Sequence, residues 1–195
     1  MERESELALV AQLKSADSAA FDVVHAAFNT RLFNFLARLS RRRDVAEDLL
    51  EETWLRFIDV LPRLHDETRL APLLFKIARN LHISYCRARA IEDHHAPDMI
   101  GLWPSGSPGP SPFEATVARE TGERLDEALA ALPAIYREAL LLVAVVEMKP
   151  AEAANVCGIT PEAMRQRLSR ARAMLAKQLD ERGDALTLSL KTVTT

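Results

Sequence analysis

Glycine is scarce in this chain of 195 residues, with 6 in all, and aromatic side chains make up only 6%. Alanine and leucine recur throughout instead. So few turn-formers and aromatics exclude a barrel or sandwich built on many tight turns. Long apolar runs are missing as well. The longest, Ala139–Val146, lies between Glu138 and Glu147 and falls far short of the roughly 20 residues that a membrane-spanning helix needs. The opening residues Glu2-Arg3-Glu4-Ser5-Glu6 lack the apolar stretch of a secretory leader, so a cytoplasmic location without membrane insertion is expected. Cysteine is limited to Cys86 and Cys157, far apart and without CxxC spacing. They read as two reduced thiols, not as a disulfide or a metal site. Hydrophobic residues at 48% and charged ones at 27% are ordinary for a folded, soluble protein.

Enzymatic signatures are absent too. There is no glycine-rich phosphate loop and no nucleophile elbow, and no convergent acid/base constellation can be assembled. Asp93, His94, His95 and Asp98 could be drawn as a metal site. Adjacent histidines point different ways, however, and these lie in a proline-rich stretch, so they read as solvated linker residues. No catalytic residue, no metal ligand and no cofactor is assigned, and the chain is not expected to be an enzyme.

What the sequence does hold is segregated charge. The net value of −3 hides three blocks. Lys76, Arg79, Arg87 and Arg89 span a stretch without an acid. Arg165, Arg167, Arg170, Arg172 and Lys177 span another. Asp44, Glu47, Asp48, Glu51, Glu52 and Asp59 face Arg56 alone. Separate surfaces for separate partners are the implication.

Apolar periodicity predicts an all-α fold. Leu7, Val10 and Leu13 mark a short helix. After the cap pair Asp17-Ser18, the residues Phe21, Val24, Phe28, Leu32, Phe35, Leu36 and Leu39 recur at three- and four-residue steps. Arg41-Arg42-Arg43 closes that helix, where cations suit the negative end of the dipole. Asp44 and Glu47 are spaced as a capping box for the next, whose expected stripe is Leu50, Trp54, Phe57, Ile58 and Leu61. A polar loop, Leu64–Arg69, leads to a helix from about Leu70 to Ile91 that buries Leu74, Ile77, Ala78, Leu81 and Tyr85. Composition then shifts. Pro97, Pro104, Pro108, Pro110 and Pro112 with Gly101, Gly106 and Gly109 leave no room for regular structure. The reading is therefore two small helical domains, 1–92 and 114–183, joined by a Pro/Gly-rich flexible linker at 93–113 and followed by a tail at 184–195. In the second domain one helix is expected over Glu114–Leu132 and another from Pro133 to about Glu147.

The most specific stretch is Lys149–Leu175. Pro150 suits the first helical position, and Ala151–Val156 gives under two turns. Gly158 can take the positive φ of a sharp turn. Thr160 then caps a long helix with Pro161 at its first position. Helix, glycine turn, helix is the helix-turn-helix layout, whose second helix enters the DNA major groove. On the wheel Met164, Leu168, Ala171 and Leu175 share one stripe. Gln166 and Ser169 point away from it, flanked by Arg165 and Arg172 on one side and Arg170 and Lys177 on the other, with Arg167 nearer the seam. Amides and guanidinium groups suit base edges, and cations suit phosphates.

Two further motif sets carry a resemblance. Ala46-Glu47-Asp48-Leu49-Leu50-Glu51-Glu52-Thr53-Trp54, followed by Ile77-Ala78-Arg79-Asn80-Leu81, resembles region 2 of bacterial extracytoplasmic-function (ECF) sigma factors. Ala131-Leu132-Pro133-Ala134-Ile135-Tyr136-Arg137-Glu138 and the helix-turn-helix are similar to their region 4. The likeness runs from about Glu6 to Asp180. It implies that Asp48, Glu51 and Glu52 dock on a coiled coil of the β′ subunit of core RNA polymerase. It gives Lys76, Arg79, Asn80 and Arg87 to the promoter −10 element and an extruded base to the loop Leu64–Arg69. Arg165, Gln166, Arg167, Ser169, Arg170, Arg172 and Lys177 would meet the −35 element as duplex. It also implies an anti-sigma factor as partner. The chain departs from the family pattern at Glu51, at Pro72-Leu73 and at Ser84. The rival reading is a sigma-like helix-turn-helix regulator or decoy that binds DNA without starting transcription.

Overall fold

A computed structural model describes residues 3–92 and 125–181, helical almost throughout and without a strand among the described residues. The linker at 93–113, the first part of the helix expected over Glu114–Leu132 and the tail at 184–195 lie outside the described residues. The N-terminal half holds α1 (Arg3–Lys14), α2 (Ser18–Ser40), α3 (Arg43–Val60), one 3₁₀ turn (Leu61–Arg63) and α4 (Leu70–Glu92). The C-terminal half holds helical residues 125–131 (α5), α6 (Ala134–Leu140), a π turn (Leu141–Val145), α7 (Pro150–Cys157) and α8 (Pro161–Glu181).

Local chemistry accounts for most boundaries. Asp17 accepts the Ala19 N–H at 2.9 Å and starts α2. Arg41 ends it in the left-handed region, at φ +58°, with its N–H on the Ala37 carbonyl at 2.9 Å. The expected capping box at Asp44 does not form. The N-cap falls two residues earlier, at Arg42, so the helix begins at Arg43, and no side chain caps it. The Arg42 guanidinium takes the Asp44 carboxylate, its Nε at 3.1 Å, while Arg43 takes Glu47 at 2.8 Å. Both acids are thereby engaged by guanidinium groups on the surface.

α2 runs through the middle of the N-terminal half. Phe28, Leu32, Phe35, Leu36 and Leu39 are buried along it, and Phe35 meets Phe75 of α4 edge to face, 5.3 Å between centroids. The α3 stripe differs from expectation. Its buried members are Val45, Ala46, Leu49, Thr53, Trp54 and Phe57; Leu50 and Leu61 are half-buried and Ile58 is exposed. Thr53 lies inside because its hydroxyl donates to the Leu49 carbonyl at 2.6 Å, leaving the outer turn free for acids. Trp54 is fixed by its Nε1, which donates to Asn29 at 3.0 Å. In α1 the inward residues are Leu9, Val10 and Leu13, with Leu7 exposed. Along α4, Leu74 and Ala78 are buried as expected; Ile77, Leu81 and Tyr85 are half-buried, and Phe75 and His82 join the core.

The helix expected to reach Glu147 stops as an α-helix at Leu140 and widens into the π turn. Leu141 and Leu142 both remain buried there. Val146 donates to the Leu141 carbonyl at 2.9 Å, and Glu147 then reverses the chain at φ +57°.

The two halves are pressed together. α4 packs on α7, and α2 packs on the π turn. Arg31 donates to the Val146 carbonyl. Arg38 pairs with Asp126 at 2.8 Å, Arg69 with Glu152 at 3.2 Å and Arg79 with Glu138 at 2.6 Å.

Candidate nucleic-acid interface

The C-terminal half builds a helix-turn-helix from local parts. Pro150 occupies the first position of α7, and Glu152 accepts the Lys149 N–H at 3.4 Å. Gly158 closes α7 at φ +66°, its N–H shared between the Ala154 and Asn155 carbonyls. Thr160 Oγ1 accepts the Ala163 N–H at 3.1 Å and starts α8. Ala153 and Ala154 are fully buried, and their small side chains let α7 lie close to α8. Met164, Leu168, Ala171 and Leu175 are all buried, with Leu179 extending the stripe. That anchoring turns the opposite face outward. Arg165, Gln166, Ser169, Arg170, Arg172 and Lys177 are exposed along it and Arg167 is half-buried at its edge. Arg165 is held by Glu162, its Nε at 3.1 Å. A cationic helix face with amide and hydroxyl groups between the arginines carries the donors that a major groove calls for.

The basic block of α4 is divided. Lys76, Asn80 and Arg87 are exposed. Arg79 is not: its side chain is 18% exposed and its Nε donates to Glu138. Arg69, at the end of the loop before α4, is likewise held between Glu6 at 2.9 Å and Glu152.

The acidic block forms one outward face of α3. Asp48, Glu51, Glu52 and Asp59 recur at helical spacing, and Glu52 pairs with Arg56 at 2.7 Å. Asp48 also borders a shallow cleft of about 290 Å³ lined by Arg42, Tyr85 and Arg89. At the centre of the face Leu55 is 59% exposed. Periodicity gives no reason to pick it out, but an apolar residue on the polar side of an otherwise well-sorted helix is a readable signal.

Between the halves lies a buried polar cluster. Glu138, 6% exposed, accepts from Arg79 and, at 3.5 Å, from the Cys157 thiol. Burial and the Glu138 charge push that thiol up to about 12. Cys86, 3.6 Å from His82, is raised to about 11 by burial. Burial first, then Arg137 and Arg79, lower His82 to about 4, so its imidazole is neutral at pH 7. Arg137 donates to the carbonyls of Leu129 at 3.0 Å, Ala130 at 2.8 Å and Leu132 at 3.0 Å, tying α5 to α6. Burial and Arg41 lower it to about 10. Both thiols are free. Asp93, His94, His95 and Asp98 lie outside the described residues, and no helix among those described is long and apolar enough to cross a membrane.

Comparison with known proteins agrees with this geometry. The family model for Sigma-70 region 2 matches residues 24–91, and that for Sigma-70, region 4 matches residues 122–175. The chain is 32% identical over 164 residues to the ECF RNA polymerase sigma factor SigM of Bacillus subtilis, covering 83% of this chain and 96% of that one. It is 34% identical over 151 residues to the probable RNA polymerase sigma factor RfaY of Xanthomonas campestris, covering 75% of this chain but spanning only 37% of that protein's length. Among solved structures, the sigma factor RpoE of Bartonella quintana, in complex with the anti-sigma factor NepR, superposes with a TM-score of 0.67. It is 26% identical, with 82% of this chain and 96% of that one covered. With both regions matched in order, and a relative matched almost end to end, the chain belongs to the extracytoplasmic-function family of RNA polymerase sigma factors, alternative sigma factors that direct transcription initiation at promoters.

Proposed function

We propose that this sigma factor divides its contacts among three surfaces. The exposed face of α8 reads the −35 duplex, with Gln166 and Arg170 on base edges and Arg165, Arg172 and Lys177 on phosphates. The loop 64–69 and α4 hold the −10 strand through Lys76, Asn80, Arg87 and Arg79. The acidic face of α3 grips core polymerase at its β′ coiled coil through Asp48, Glu51 and Glu52, with Leu55 as its apolar centre. The observation that carries this reading is the outward face of α8: five buried residues orient it, and every short polar group on it lies between cations. Two modest contacts on one chain act as one through effective concentration. The chain works in the cytoplasm, where its polymerase is. An anti-sigma factor holds it inactive, by extension from the Bartonella quintana relative solved with such a partner.

Run-off transcription with purified core polymerase tests the proposal. Transcripts from a specific promoter should appear only when this chain is added. Tight, stoichiometric binding to promoter duplex without polymerase, and no transcripts, would instead identify a plain DNA-binding regulator. Glu52→Arg should weaken polymerase binding at least tenfold, as expected for reversing a charge opposite a complementary surface. An unchanged affinity removes the acidic face from the docking site.

A further inference from the structure

We infer that α1 is a positioning element for the loop 64–69: Arg3, Glu6 and Lys14, which have no promoter contact of their own assigned, hold the loop in the shape that receives an extruded base and so set base preference at the −10 element. The inference rests on the assignment of that loop to the −10 strand.

The loop supplies little of its own order. Leu64 is buried at its start, and within it the Thr68 N–H donates to the His65 carbonyl at 2.9 Å. One turn does not offset the backbone entropy of fixing the other residues. The remaining restraints come from α1. The Lys14 ammonium takes the Asp66 carboxylate, and Arg3 Nη2 donates to the Glu67 carbonyl at 2.9 Å. Glu6, buried on α1, accepts from Arg69 Nε at 2.9 Å and from the Leu70 N–H at 2.9 Å. Arg3 also braces Glu6 at 3.2 Å. Arg69 is shared across the seam between the two halves, where Glu152 lies at 3.2 Å.

The placing of these restraints decides what is left for DNA. Arg3 and Lys14 reach in from opposite ends of α1 to neighbouring residues, Glu67 and Asp66, and so grip the loop between them. Asp66 and Arg69 are engaged through their side chains, Glu67 through its carbonyl. Exposed His65, the exposed side chain of Glu67 and half-buried Thr68 are the groups available to a base. An extruded base is read in a close-fitting pocket. Such a constellation works only when held to about 0.5 Å, a precision that a loop reaches when a rigid element braces it. The Lys14–Asp66 pair lies on the surface and adds little to stability. Its effect belongs to the shape of the loop and not to the fold of the chain.

The test uses the full chain assembled on core polymerase and a single-stranded DNA pool of randomised sequence, with the bound molecules sequenced. The parent should favour one base at one position about tenfold, within the ordinary cost of a mismatch, and Lys14→Asp, Asp66→Lys and Arg3→Ala should each bring that down to about twofold. Preference is a ratio, so a changed charge at position 66, which acts on phosphates alike in every sequence, does not enter it. The reversed pair Lys14→Asp/Asp66→Lys should regain the preference, with thermal unfolding and affinity for core polymerase at the parent's values throughout. Parent-like preference in the single variants overturns the inference. So does a loss that the reversed pair does not regain. His65→Ala/Thr68→Ala separates the inference from the assignment beneath it. If that variant keeps the preference, the loop is not the reader and the inference falls with the assignment. If it abolishes the preference while Lys14→Asp does not, the inference alone falls.

Discussion

The Glu6 carboxylate, buried on α1, accepts the Leu70 N–H at 2.9 Å and pairs with Arg3 at 3.2 Å and Arg69 at 2.9 Å. It thereby caps α4 from another helix. The two arginines are half-exposed, so the ion pairs add little; most of the stabilisation comes from giving the buried amide an acceptor. Glu6→Ala should cost about 2 kcal/mol, the usual penalty of an unsatisfied buried group, read from denaturant unfolding. Gly158 is a contrasting case. A Cβ there would meet nothing within 4 Å, so Gly158→Ala bears only the left-handed backbone, about 1–2 kcal/mol. A larger loss would mean hidden crowding. His82 supplies a pH signature. Its folded value, about 4, lies below the unfolded one, so the unfolded chain binds more protons between them. The contribution is complete above the unfolded value and is lost as pH falls toward 4, about 2 kcal/mol between pH 7 and 5. His82→Leu should flatten that slope. Gly158 and Thr160 are legible in sequence because their partners are within four residues. Glu6 is not, since its partner amide is 64 residues away.

At the scale of elements, α8 is legible in full because one helix face carries both signals. The apolar stripe turns inward at the spacing of the sequence, and the polar face follows from it. Leu168→Ala should cost about 2–5 kcal/mol, as for other buried leucines. Gln166→Ala and Arg170→Ala should leave stability unchanged and alter −35 preference, about 1–3 kcal/mol per lost base contact, measured on duplexes changed one base pair at a time. Arg172→Ala should instead lower the salt slope by about one unit and weaken all sequences alike. Element α3 is less legible. Apolar spacing points to Leu50, Ile58 and Leu61, whereas Thr53 is the residue buried and Ile58 is outside. Hydroxyl-to-carbonyl bonding makes a threonine compatible with a core, and hydropathy alone does not report that.

At the scale of the molecule, the seam mixes exposed and buried ion pairs. Arg38–Asp126 and Arg69–Glu152 have partly exposed side chains, and salt screens such pairs. Arg79–Glu138 is enclosed and is screened far less. Raising salt toward 1 M should therefore expand the chain only partly, by scattering, while Arg79→Ala, which strands the buried Glu138 charge, should expand it at any ionic strength. An Arg79→Ala chain that stays as compact as its parent would show that apolar packing between α4 and α7 closes the seam unaided.

The amino-acid order by itself determined the helices, the helix-turn-helix with its glycine turn and threonine cap, the outward face of α8 and the acidic side of α3. Each depends on neighbours within a turn or two, where spacing and side-chain type are sufficient. Only the tertiary structure decided that Glu6 caps α4, that α6 widens into a π turn, and that Arg79 faces Glu138 on the other half. The first and last of these depend on which charges meet across long chain separations, and a carboxylate's worth is set by the cation that burial places beside it; the π turn instead keeps Leu141 and Leu142 buried together.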